Sequence, residues 1–327
     1  MKWNNKQEMK KEIGGFLELE KPLGKEYYSN CISLNSASNA LIYYLKAENI
    51  NKIYIPYYLC NSISQKLDSY NFDYEYYHIG KSFLPVFEKD LSNKEALYIV
   101  NFYGQISNRI ISKLKKRYKR IIIDNVQSFF QKPLDNVCTV YSCRKFFGVP
   151  DGAYLFYQNH ELLNLKRDNS CRGFIHLAGR KDTDANRYYE LFLENERENA
   201  KKPPMFMSES TKILLSNIDY SFVKKKRKEN YSVLEDRLTN INKLSLKNIN
   251  IPMCYPLLVD NGSVIRKKMI KHKIYIPLLW DNINKGASEI EKEYANNILP
   301  IPCDQRYSVN DMNYVLSIIE KEGVGLK

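Results

Sequence analysis

Two residues of opposite charge, Asp124 and Lys145, each stand at the end of a run built for burial. Asp124 closes the run RIIID at 120–124, and Lys145 follows three residues after Ser142, where the run VCTVYS at 137–142 stops. Short runs rich in β-branched and aromatic residues read as buried strands. A carboxylate at the end of one strand and a lysine just past the next suit pyridoxal phosphate. The amine can form a Schiff base, and the carboxylate can keep the pyridine nitrogen protonated. A site that lowers the lysine pKa frees the amine to react. The plainer readings are a strand-end cap for Asp124 and a surface lysine for Lys145.

The elements that must position this pair alternate. Small polar residues, NSASN at 35–39, precede a helical spacing of Ala40, Leu41, Tyr44 and Leu45. A helix start with free N–H groups and nearby hydroxyls suits a phosphate, although plain N-capping needs no ligand. Strands are predicted at 31–34, 52–56, 73–79 and 95–105, with helices at 59–67 and 107–117. Such alternation across 30–157 predicts an α/β fold with a mostly parallel sheet covered on both faces. Ligands of such sheets sit at the carboxyl ends of strands, where Ser36, Pro56, Tyr103, Asp124 and Ser142 fall. We expect an arm at 1–23, a large domain at 24–205, and a long helix with a small α+β domain at 206–327. A short helix is expected from 160, and a charged one over 181–201 with Tyr188, Leu191, Phe192 and Asn195 on one face. The long helix spans 220–241. In the small domain, strands are predicted at 248–259 and 273–280, helices at 263–272 and 287–296, and a last helix opens with Ser308 and Asp311 as a capping box.

Composition narrows the class. The net charge is +13, which favours anionic partners. The basic residues are spread along the chain, with one dense run at 224–228, so phosphorylated small molecules are favoured over nucleic acid. The seven cysteines form no CxxC pair, and the four histidines lack metal-ligand spacing, which points to reduced thiols and no metal site. No apolar run reaches the ~20 residues of a membrane helix. A soluble, cytoplasmic protein without membrane or nucleic-acid partners is expected.

Taken in order, NSASNAL, IPYYLC, NFYGQ, IIDNVQ, YSCRKFFGVPDGA, IYIPLLW and LPIPCD resemble the DegT/DnrJ/StrS family of PLP-dependent sugar aminotransferases, in a divergent branch. The resemblance spans roughly 14–319 and implies the fold-type-I aminotransferase fold. By resemblance, Lys145 is the catalytic lysine and Asp124 pairs with the pyridine nitrogen. Gln127 contacts the ring hydroxyl, and Val126 packs on the ring face where the family has alanine. Ser36, Ala37 and Ser142 hold the phosphate. Cys60 occupies the position of the family's stacking aromatic, so either Tyr57 or Tyr58 substitutes or no ring stacks there.

Two departures stand out. Ser142 lies three residues before the lysine, where the family has five. The segment PMFMS at 204–208 replaces an Asn-Tyr-Arg-Met-Ser stretch that reaches a partner subunit's phosphate. The implied reaction moves an amino group from an amino acid, glutamate by resemblance, to a nucleotide-linked keto sugar, in a homodimer. The same residues also fit a PLP enzyme of another reaction class, or a non-catalytic relative.

Overall fold

The structure is a computed structural model that describes residues 13–158, 164–247, 251–280, 283 and 285–322. The first half lays down β1 (Ile32–Leu34), α1 (Ala37–Ala47), β2 (Lys52–Pro56), α2 (Asn61–Ser69), β3 (Asp73–Ile79), β4 (Pro85–Val86), β5 (Glu95–Val100), α3 (Asn108–Arg117), β6 (Ile121–Asp124), β7 (Cys138–Ser142) and β8 (Ala153–Phe156). These eight strands form one sheet in the order β1-β8-β7-β6-β5-β2-β3-β4. The pairs β3–β2, β2–β5, β5–β6 and β6–β7 are parallel, and β8 runs against both β1 and β7.

Central strands buried on both faces read as continuous apolar runs. Accordingly, β6 (IIID) and β7 (CTVYS) are buried at every position. Helix α1 is buried from Asn39 through Leu45, which is why its apolar spacing has no clean polar face. The strand order reverses between β2 and β5, the point at which ligands of such sheets gather at the strands' carboxyl ends.

The second half adds α4 (Ile175–Asp182), α5 (Tyr189–Lys201), α6 (Glu209–Ser216), α7 (Tyr220–Leu238), β9 (Cys254–Leu258), α8 (Gly262–Lys271), α9 (Glu289–Asn297), β10 (Ile298–Pro302) and α10 (Val309–Lys321). A C-terminal core forms from Tyr231, Leu234, Leu257, Ile265, Ile301 and Leu316. Leu244, Cys254, Leu258 and Tyr294 pack instead into the main core with the sheet. An aromatic cluster that includes Tyr28, Phe129, Tyr141, Phe146 and Phe147 lies beside the loop that follows β7.

One sequence expectation changes. Residues 273–280 form no strand; Lys273 and Trp280 take left-handed φ values of 59° and 60°. The partner of β9 is β10, antiparallel, with Pro300 directly opposite Pro256. Two prolines face each other without loss because facing residues in alternate antiparallel pairs exchange no hydrogen bonds. Residues 13–23 form no strand, and Ile13, Phe16, Leu17 and Leu23 are almost fully exposed. The 204–208 segment lies along β1: Asn35 N–H donates to Met205 O at 2.9 Å and Met207 N–H to Ser33 O at 3.0 Å. It therefore covers an otherwise open sheet edge. The expected helix from 160 falls largely outside the described residues, as do the start of the 248–259 run and the first half of the arm.

Candidate active site

Every residue singled out at a strand end falls along the carboxyl edge of the sheet. Asp124 ends β6 and is buried. Parallel register sets Tyr98 opposite Ile122 and Val100 opposite Asp124. Alternate residues share a face, so Tyr98 sits one pleat behind Asp124 on the same side. Its hydroxyl donates to Asp124 Oδ2 at 2.5 Å, and the Val126 N–H donates to Oδ1 at 2.9 Å. Burial raises the Asp124 pKa; the Tyr98 and Val126 hydrogen bonds and the Lys145 charge act against it. Two well-aligned donors and a nearby cation favour the anion that burial opposes.

Lys145 is exposed, and its ammonium has no hydrogen-bond or ion-pair partner among the described residues. Its charge acts on Asp124 and also on Cys254 in β9, whose thiol is pushed up by burial. Lys145 lines a cavity of about 600 Å³ together with Phe146, Arg227 and Arg306.

The loop carrying Lys145 is fastened at three points. Cys143 N–H donates to Gly152 O at 3.0 Å. The Phe146 carbonyl accepts from Gln305 Nε2 at 2.8 Å and from Arg227 Nη2 at 3.2 Å. The fully buried Asp151 accepts from Ser208 N–H at 2.9 Å, Ser208 Oγ at 2.7 Å, Ser170 Oγ at 3.1 Å and Thr211 Oγ1. Arg227 also donates to Gln305 Oε1 at 2.8 Å, Pro252 O at 2.9 Å and Met253 O at 3.1 Å. A buried guanidinium thus ties the lysine loop, α7 and the run into β9 together.

Gln127 is buried, and its Oε1 accepts the Tyr103 N–H at 2.7 Å, leaving its NH₂ free to donate. Tyr103 needs this support because its φ of 54° is left-handed. Val126 is half-buried beside Asp124. At the α1 start, Ser36 caps the helix through Asn39 N–H at 3.2 Å and lies 3.3 Å from Ser38 Oγ. Ala37, half-buried, opens the helix. Ser142 is buried, and its hydroxyl has no partner among the described residues. Tyr58 is fully buried among Phe102, Trp280 and Tyr294, with its hydroxyl 3.3 Å from that of Tyr103. Cys60 is exposed at the start of α2.

A DegT DnrJ EryC1 StrS aminotransferase from Brucella abortus superposes with a TM-score of 0.61 at 11% identity, over 90% of this chain and 86% of that one. NtdA from Bacillus subtilis, solved with bound cofactor PMP, gives 0.63 at 14%, over 91% and 73%. Helicobacter pylori PseC, an aminotransferase of pseudoaminic acid biosynthesis, gives 0.59 at 13%, over 90% and 86%. This is the fold-type-I aminotransferase fold. No family model matches the chain, and no curated protein matches its sequence, so the likeness lies in the fold.

Sequence reading missed Tyr98, Gln305, Asp151 and Trp280. Tyr98 carries no local signal, since only strand register brings it to Asp124. Arg227 is legible as inward from its helical spacing with Val223, Tyr231, Leu234 and Leu238, all buried in α7; its partners in the lysine loop are not. Among the described residues, no cluster suits a metal, and no helix is long and apolar enough to cross a membrane.

Proposed function

We propose that this protein is a PLP-dependent aminotransferase that moves an amino group from an amino acid, glutamate by resemblance, to a nucleotide-linked keto sugar. The setting would be polysaccharide or amino-sugar biosynthesis, in a cytoplasmic homodimer. The observation that carries the reading is a buried carboxylate, Asp124, at the end of β6, with the unpaired amine of Lys145 on the loop after the neighbouring β7, at the carboxyl edge of an aminotransferase-type sheet.

The residues present fit the cofactor. Asp124 offers a charge held by two donors, suited to a protonated ring nitrogen. The free NH₂ of Gln127 points a donor from the same turn. The N-terminus of α1, with Ser36 and Ser38, offers N–H groups and hydroxyls to a phosphate, and the unpaired hydroxyl of Ser142 adds a donor. PLP, when bound, supplies an electron sink and carries the amino group between two substrates.

The chain's own residues do the remaining work. Lys145 would hold the cofactor through its amine and, when free, would move a proton as a general base and acid. Asp124 keeps the ring nitrogen protonated. The fastened 143–151 loop holds the amine within reach, because small misplacements of a catalytic group are costly in rate.

An absorbance spectrum tests this. The purified protein should be yellow or turn yellow with added PLP, and Lys145→Ala should abolish that band with an unchanged melting temperature. A colourless wild type that gains no absorbance with PLP would overturn the reading. Glutamate and a panel of keto-sugar nucleotides should then yield 2-oxoglutarate.

A further inference from the structure

Two cavities of about 600 Å³ and 610 Å³ share the residues His176, Arg180 and Phe192 and so meet. The first begins at Lys145 and Arg306; the second continues between α4–α5 and α8. Two arginines of the inner wall are paired: Arg144 with Glu196, and Arg306 in a bidentate pair with Asp304 at 2.7 Å. Arg180, which lines both cavities, and Arg266, which lines the outer one, have no acidic partner among the described residues, and the Nε of Arg266 is buried without any hydrogen-bond partner. A buried donor left unmade is costly, and a guanidinium fork fits phosphate oxygens.

The same outer cavity collects exposed apolar side chains. Tyr189 is 54% exposed, Tyr275 41% and Phe192 38%. The Tyr189 and Phe192 rings lie nearly parallel, 6.0 Å apart. Aromatic rings left in water beside unpaired arginines suit a ligand with a flat ring next to phosphates.

We infer that this groove between α4–α5 and α8 is a binding site for the phosphate-and-ring end of the substrate, with Arg180 and Arg266 holding the phosphates and Tyr189 and Tyr275 the ring. The assignment of that ligand as substrate rests on Lys145 being the reacting amine; the site itself does not. The inner cavity then takes the part of the ligand that meets Lys145. Specificity for the distant end comes from α4, α5 and α8, elements outside the sheet that carries Asp124 and Lys145.

Calorimetric titration of the purified protein with UDP and with inorganic diphosphate tests this. UDP should bind more tightly than diphosphate, and added salt should weaken both. Arg266→Gln and Arg180→Gln should each weaken UDP by about tenfold or more. Tyr189→Ala should weaken UDP and leave diphosphate unchanged. The PLP absorbance band should persist in all three variants, so loss of the band in the wild type speaks against the cofactor alone. UDP affinity unmoved by both arginine changes would overturn the site. So would absence of UDP binding together with a change in oligomeric state in Tyr189→Ala, which would mark the face as an interface between copies.

Discussion

The Tyr98 hydroxyl donates to Asp124 across 2.5 Å, from one pleat back on the neighbouring parallel strand. Tyr98 is itself fully buried, and its backbone carbonyl accepts the Tyr77 hydroxyl at 2.7 Å. The candidate carboxylate is thus braced from β3 through β5 to β6, across the point where the strand order reverses.

Tyr98→Phe keeps the ring and deletes the donor. Because the hydrogen bond favours the charged carboxylate, its loss should raise the Asp124 pKa further and weaken its hold on a protonated ring nitrogen. We expect PLP affinity to fall about tenfold, from a net bond worth about 1–1.5 kcal/mol, with the fold intact by circular dichroism. An unchanged PLP titration would show that Asp124 does not hold the cofactor.

Asp124→Asn separates stability from binding. A carboxyl whose folded pKa lies above its ordinary 3.8 binds more protons in the native state than in the unfolded one between the two values. Stability therefore falls as pH rises through that window, and the loss is complete above the raised pKa. The neutral amide removes this pH dependence, while its NH₂ faces one of the two donors. Relative to wild type, the melting temperature of the cofactor-free Asp124→Asn variant should therefore improve by roughly 1–3 °C as pH is raised from 4 to 8. The same variant should retain PLP poorly. Equal melting curves at pH 8 and at low pH would contradict the origin of the shift in burial.

Arg227→Met should destabilise the protein by about 2–4 kcal/mol, because the carbonyls of Phe146, Pro252 and Met253 lose a shared buried donor. A drop in urea midpoint at constant slope checks this. A shift under about 0.5 kcal/mol would mean that the loop and β9 hold together without it.

Gly152 has a φ of 117°, and a Cβ there would lie 3.2 Å from Cys143, Met207 and Thr211 side-chain atoms. Gly152→Ala should cost about 1–3 kcal/mol from backbone strain and displace the end of the lysine loop. Gly148→Ala is the control. It has no positive φ, and its nearest contact is at 4.0 Å, so it should stay within about 0.5 kcal/mol of wild type.

The sequence was most readable where one strand or one helix start carries the signal. The runs ending at Asp124 and Ser142 are unbroken apolar stretches, so their strands and their ends could be read locally. The cap at Ser36 and the capping box of Ser308 with Asp311 were equally local, because each satisfies N–H groups only three residues away. The run 273–280 misled because IYIP satisfies a strand pattern, while β9 was already paired by 298–302. Strand propensity states only that a segment fits a sheet and not which sheet edge is free.

The sequence by itself determined the alternating α/β architecture, the strand-end carboxylate and the lysine beyond the next strand, since these follow from side-chain type and period along the chain. Only the tertiary structure decided which groups surround them. Tyr98 meets Asp124 through strand register, Arg227 and Gln305 meet the lysine loop from about 80 and 160 residues away, and Arg180 of α4 and Arg266 of α8 line one cavity. Such contacts depend on how buried faces pack together, a property of pairs of elements that no single stretch of the chain encodes.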